Sequence, residues 1–214
     1  MFVRPDWKPR DPEAAYELIA AYPWALLVQN GAAGPFATNL PLFLDRSRGR
    51  LGTLVGHMAR ANEHARVLGD GSVPSLAVFE GPYSFVSASW YPKRDMPGTY
   101  YYAAVHCYGA IRIQGAEEVE PSLGELNRSM EGPIPDGWRM DEIPHSEITR
   151  RIPAIVGFEL EIERMEAKFK LGQDEPMKDA SAVAARLEAA ADPCAHVLAA
   201  MVRRENAGRA EEGK

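Results

Sequence analysis

The densest concentration of groups able to grip a ligand lies between Gly81 and Gly109. Gly81-Pro-Tyr-Ser-Phe-Val-Ser-Ala-Ser-Trp-Tyr91 is followed, after a short loop, by Thr99-Tyr-Tyr-Tyr-Ala-Ala-Val-His-Cys-Tyr-Gly109. Side chains alternate along a strand, so Ser87 and Ser89 would leave one face together, where two hydroxyls can bind phosphate. Trp90 and Tyr91 beside them can cover a planar ring. The same residues equally make an ordinary strand whose polar face meets water. A second set, Gly56-His-Met-Ala-Arg-Ala-Asn-Glu-His64, sits where a strand gives way to a helix start. Backbone N–H groups at such a junction, with Arg60 nearby, can hold a phosphate. An arginine on a helix is more often simply solvated.

Other chemistries lack their residues. The histidines His57, His64, His106, His145 and His196 form no H-E-x-x-H or comparable spacing, which argues against a zinc enzyme. His106, between Val105 and Cys107 in a strand, reads as a core histidine, with a haem or acid–base role left open. Cys107 and Cys194 are far apart and make neither a metal-ligand pattern nor a disulfide framework. There is no G-x-S-x-G elbow, no P-loop and no G-x-G-x-x-G, so hydrolase, kinase and Rossmann readings have no anchor.

The elements that must position these groups are mostly short strands. Asp11-Pro12 opens a helix carrying Ala14, Ala15, Leu18 and Ile19 on one face. Trp24 to Gln29 reads as a buried strand, turned at Asn30 to Gly34 into a second strand, Phe36 to Leu44. Strands follow at Leu51–His57, Ser75–Phe79, Tyr83–Ser89 and Tyr102–Gln114. Ile155 to Glu163 alternates apolar and acidic residues, which predicts a strand with one wet face at the outer surface. Leu123, Leu126 and Met130 suit a short helix within the apolar-poor stretch from Pro121 to Arg151. Residues 179 to 204 read as one or two amphipathic helices interrupted at Asp192-Pro193, and Glu205 to Lys214 as a frayed tail. This spacing predicts a mainly β fold, a closed or partly closed antiparallel barrel with peripheral helices. The barrel domain spans residues 1–175, and the C-terminal helical extension 176–214.

The chain has 214 residues, with 30 acidic against 24 basic and a formal charge of −6. That is the wrong sign for a protein whose main task is to hold a phosphate backbone. Charged residues interrupt the N-terminus before it reaches signal-peptide length, and no segment has the roughly 18 uninterrupted apolar residues of a membrane span. A cytoplasmic protein with no membrane partner is expected.

At these same segments the sequence resembles the PaiB-type FMN-binding negative transcriptional regulators, relatives of the pyridoxamine-phosphate-oxidase-like split barrels. The matching blocks are Pro35-Phe-Ala-Thr-Asn-Leu-Pro41, Gly56 to Asn62, Phe79 to Tyr91, Ala104-Val-His-Cys-Tyr-Gly109, and Ile155 to Ile162 running on to Glu166-Ala-Lys-Phe-Lys-Leu-Gly-Gln173. The resemblance implies an FMN-binding split β-barrel of Greek-key type, working as a homodimer with FMN near the subunit interface. The phosphate would lie near the strand ending at His57, with Arg60 and Asn62 serving the phosphate or ribityl chain. Thr38 and Asn39 would approach the isoalloxazine edge. Ser87, Ser89, Trp90 and Tyr91 would complete the wall, with Lys170 and Gln173 supplied by the other subunit. One stretch departs from the family: Pro97-Gly-Thr-Tyr-Tyr-Tyr102 stands where members tend to read Val-Pro-Thr-Trp-Asn-Tyr. If that loop touches the ligand, the pocket is altered and haem becomes the competing cofactor. The implied function is regulation of transcription, directly on DNA or through a protein partner. The alternative is a flavin-dependent oxidoreductase acting on a small substrate.

Overall fold

A computed structural model describes residues 1–32, 34–68 and 73–209. It divides into two compact units, one of residues 1–18, 80–105 and 166–214, the other of residues 19–79 and 106–165.

In the second unit, β1 (Trp24–Gly31) and β2 (Gly34–Pro41) form the expected hairpin, in register from Trp24 opposite Pro41 to Gly31 opposite Gly34. Ala33, inside the expected turn, lies outside the described residues. On its other edge β1 pairs antiparallel with the first part of β5 (Pro74–Val86), from Leu26 opposite Val78 to Gln29 opposite Ser75. Alternation sends Ala25, Leu27 and Gln29 into the core, where Gln29 Nε2 donates to Ser75 Oγ at 3.1 Å. Among the described residues β2 pairs with β1 alone in the strand order and is a sheet edge.

A second run of strands in this unit has the order β6 (Thr99–Ile113), β7 (Ile155–Glu161), β4 (Thr53–Ala59), β3 (Phe43–Asp45). β4 and β7 are paired along their whole length, Thr53 opposite Glu161 to Ala59 opposite Ile155. Helices α2 (Ala116–Glu131) and α3 (His145–Arg151) follow β6. α2 is longer than its sparse apolar pattern suggests, because Glu118 closes a capping interaction on the Gly115 N–H at 2.7 Å.

The alternating strand β7 does not lie at the outside. It is flanked by β4 and β6, and Glu159, on its expected wet face, is only 8 % exposed. A buried lone carboxylate costs several kcal/mol. Here Arg48 and Arg112 meet it at 2.9 and 2.6 Å, with Gln114 at 3.2 Å. Two arginines from neighbouring segments let an acidic residue sit at an inner position.

Helix α1 (Glu13–Ala21) begins where the Asp11-Pro12 signal placed it, with Asp11 Oδ1 accepting from the Glu13 N–H at 2.9 Å. In the first unit the later part of β5, the earlier part of β6 and β8 (Arg164–Lys170) are joined, β6 between the other two. The tyrosines expected to form a loop before His106 are therefore strand. Helices α4 (Met177–Glu188) and α5 (Pro193–Asn206) pack through Val183, Leu187, Leu198 and Val202, broken at the expected Asp192-Pro193.

The tail is tied down further than its polarity suggests. Glu205 and Asn206 are buried; Glu205 accepts from the Arg10 N–H at 3.0 Å, and Asn206 donates to Leu171 O at 2.9 Å. Residues 210–214 of the expected frayed segment lie outside the described residues.

Glu175 is one of several buried acidic residues of the first unit. Glu175 accepts from Tyr91 at 3.2 Å and from Tyr101, both phenols being buried. Gly172, at φ +80°, turns the chain beneath this group, and a Cβ there would run into the Tyr101 hydroxyl. Burial pushes the Glu175 carboxyl above the usual range, partly offset by hydrogen bonds from Tyr101 and Tyr91. A carboxyl raised on folding contributes stability that is present below its unfolded value and lost as pH rises through its folded one. Glu175→Gln should therefore gain in thermal midpoint over the wild type as pH rises from 4 to 8, read by differential scanning fluorimetry. A difference that stays flat across that range would contradict the assignment.

Candidate functional site

On the second unit the candidate residues gather around the turn after β4. His57 is half-buried near the end of β4, and burial lowers its imidazole pKa, keeping the ring neutral near pH 7. The chain then leaves the sheet at Arg60, which is held three times by the segment entering β7. Its N–H donates to Ala154 O at 2.8 Å, its Nε to Pro153 O at 2.8 Å and its Nη2 to Ile155 O at 2.7 Å. Arg60 is thus a cation fixed in place at an exposed turn rather than a loose side chain on a helix. Asn62 caps the 3-10 turn Glu63–Arg66, its Oδ1 accepting from the His64 N–H at 3.0 Å.

His64 joins this turn to the edge strand. Its ring is 0 % exposed, Nδ1 lies 2.9 Å from Thr38 Oγ1, and the Phe36 ring stacks on it at 5.4 Å and 22°. Nε2 is buried and has no hydrogen-bond partner among the described residues. Thr38 and Asn62 are therefore linked through a residue that the ligand-binding expectation did not include. His64 closes the Gly56-to-His64 segment, and the Asn-x-His spacing of a capped turn was the signal that could have found it. Asn39 leaves the opposite face of β2 from Thr38 and is exposed. Strand alternation thus prevents their two side chains from meeting one ligand edge together.

The remaining candidates belong to the first unit and are arranged differently from expectation. β5 ends at Val86, so Ser87 and Ser89 are not on one strand face. Ser87 caps the 3-10 turn Ala88–Trp90, and the two hydroxyls bond each other at 2.9 Å. The Ser-x-Ser spacing favours this local side-chain bonding over continued pairing. Trp90 is partly exposed, whereas Tyr91 is buried against Glu175. Lys170 donates to Thr99 Oγ1 and, at 3.2 Å, to Tyr100 O. Gln173 bridges Phe169 O at 2.6 Å and the Leu171 N–H at 2.7 Å, fixing the turn after β8. In the divergent stretch, Tyr101 is a core residue, and Tyr100 is exposed with its ring 5.6 Å from Phe85.

A cavity of about 560 Å³ beside α2, walled by Arg128, Ile134, Trp138 and Arg139, contains none of these candidates. Among the described residues no group of three or more His, Cys, Asp or Glu side chains could hold a metal ion. No helix among them is long and apolar enough to cross a membrane.

Residues 1–164 match the family described as "Putative FMN-binding domain". The chain belongs to this FMN-binding family. A relative, the protease synthase and sporulation protein PAI 2 of Bacillus subtilis (strain 168), is 26% identical over 206 residues, covering 94% of this chain and 96% of its own. Of solved structures, the FAD and heme binding protein from Mycobacterium smegmatis superposes with a TM-score of 0.54 at 16% identity, covering 76% of this chain and 72% of that one. The flavocytochrome Anf3 from Azotobacter vinelandii gives 0.51 at 15%, covering 76% and 68%. At such identities the structures establish the fold, antiparallel and of the flavin-binding split-barrel kind, and the family match establishes the FMN-binding class.

The residues of the second unit fit an FMN-type ligand. A fixed exposed cation and a capped turn suit a phosphate, and a hydroxyl backed by a buried imidazole with an unsatisfied nitrogen suits a heteroaromatic edge. If the turn depends on its cap, Asn62→Ala should cost about 1 kcal/mol of stability, measured by urea unfolding, with Asn62→Asp close to wild type. Equal stability of all three proteins would show that the cap carries nothing.

Proposed function

We propose that this chain is a cytoplasmic, homodimeric flavin-dependent regulator, holding FMN against the turn after β4 and lowering transcription through a protein partner. The observation that carries the placement is the chain of contacts from Asn62 through His64 to Thr38, beside the anchored Arg60. Arg60 and Asn62 serve the phosphate or ribityl chain, His57 lies at the strand end beside them, and Thr38 meets the ring edge. Asn39 contributes through backbone groups of the open edge of β2. Ser87, Ser89 and Trp90 remain candidate ligand groups of the first unit by itself, with Tyr91 in its core. A second copy supplies Lys170 and Gln173.

Dimerisation is supported by an exposed aromatic face on the first unit: Tyr83 and Phe85 of β5 with Tyr100 of β6 are 68%, 52% and 54% exposed. A contiguous aromatic patch of this kind marks an interaction surface. The regulatory part is supported by the name of the Bacillus relative, a protease synthase and sporulation protein. A net charge of −6 favours action through a protein over direct grip on DNA.

A redox reading has its own support in the flavocytochrome and the FAD and heme binding protein among the fold relatives. On that reading the flavin takes electrons from a nicotinamide reductant, and haem is the competing cofactor.

FMN at about a hundred times its Kd should stabilise the protein by about 2.7 kcal/mol, which for a chain of this size raises the thermal midpoint by roughly 5–10 °C. Riboflavin, lacking the phosphate, should give clearly less, and Arg60→Ala should remove most of that difference. An unmoved midpoint with FMN would overturn the placement. The regulatory arm is tested by promoter DNA in a mobility-shift assay. No shift is expected at moderate salt without a partner, and a tight, salt-dependent shift by the protein alone would overturn action through a partner.

A further inference from the structure

The contact between His64 and Thr38 leaves a question of direction, since either group can be the donor. Two neutral tautomers are available to the ring. With the proton on Nε2, the imidazole buries an N–H that has no acceptor among the described residues while Nδ1 takes the Thr38 proton. With the proton on Nδ1, the ring donates to Thr38 Oγ1 and buries a bare lone pair at Nε2 instead. Orphaned buried N–H groups are rarer than under-satisfied acceptors. The second arrangement is favoured, and it frees the hydroxyl proton of Thr38.

We propose that His64 is a positioning residue: donating from Nδ1 to Thr38 Oγ1, it turns the Thr38 hydroxyl into a fixed hydrogen-bond donor aimed at an acceptor atom of the isoalloxazine ring. This rests on the placement of FMN beside Thr38. Phe36, two residues before Thr38 on the same face of β2, stacks on the imidazole and fixes its plane. The 3-10 turn capped by Asn62 fixes its backbone. Thr38 is β-branched, and its χ1 is correspondingly stiff. Burial lowers the imidazole pKa, so the ring stays neutral and keeps a single proton to place. The three groups together orient one hydroxyl at a half-buried position on an edge strand.

The choice of partner atom follows from this polarity. Oxidised flavin presents ring nitrogens and two carbonyl oxygens as acceptors, with one ring N–H as donor. A hydroxyl whose oxygen already receives the His64 proton keeps its own proton free to give to one of these acceptors. Removing either member of the pair should therefore affect the flavin in the same way, whereas a purely structural histidine would alter stability alone.

The test is a double-mutant cycle on the full chain, with FMN affinity read by quenching of flavin fluorescence and the FMN midpoint potential read alongside. Thr38→Val and His64→Leu should each weaken oxidised FMN about fivefold to tenfold, the worth of one neutral hydrogen bond. They should also shift the potential in the same direction. His64→Leu should add nothing once Thr38 is valine, and Thr38→Ser and His64→Gln should stay within about twofold of wild type. Multiplicative losses in the double variant, or wild-type binding by His64→Leu, would overturn the proposal. Should His64→Leu not fold, the ring ¹⁵N shifts of the wild type decide: protonated Nδ1 is expected, and protonated Nε2 contradicts it. If the wild type takes no FMN while its ring carries the proton on Nδ1, the placement of the flavin has failed and the hydrogen-bond polarity has not.

Discussion

The turn that leaves β4 is pinned from two sides, and the candidate site of the second unit depends on that constraint. From one side, three carbonyls of residues 153–155 take the N–H groups of Arg60. From the other, His64 reaches the hydroxyl of Thr38 on β2 while its own N–H is held by Asn62. Each bond is worth only about 1 kcal/mol net, but together they hold a short irregular segment against two separate strands. An exposed arginine held in this way is suited to an anion. With its Nε and one Nη committed, the guanidinium no longer has to surrender side-chain freedom when an anion arrives.

The first unit solves a different problem with similar means. Glu175 sits where its charge is costly, and two buried phenols donate to it. The same carboxylate explains the divergent Tyr100-Tyr101 stretch. Tyr101 fills the core and meets Glu175, while Tyr100 turns outward to Phe85. Where the family pattern reads Trp and Asn, this chain has a surface aromatic, Tyr100, and a core phenol, Tyr101.

Local signals were legible where the backbone itself sets the rule. The Asp11-Pro12 start of α1, the β1–β2 hairpin and the Asp192-Pro193 break all depend on caps, turns and proline sterics within a few residues. Readings that required knowledge of a distant partner went differently. Glu159 looked wet because nothing near it in sequence reveals Arg48 and Arg112. Ser87 and Ser89 looked like a strand face because alternation cannot foresee that the two hydroxyls would bond each other. Of the candidate site, Arg60 and Asn62 stood out by type and position. His64 did not, since its role exists only through Thr38, 26 residues earlier.

These observations place the chain in an FMN-binding family with the fold of flavin-binding split barrels, and they supply a donor set suited to a phosphorylated heteroaromatic ligand. The most direct measurement is the absorbance spectrum of the purified protein after saturation with FMN and removal of the excess by gel filtration. Retained flavin bands are expected, near one FMN per chain, lost or greatly weakened in Arg60→Ala. A protein that emerges colourless would contradict this, as would one that keeps no flavin and takes up haem with a Soret band instead.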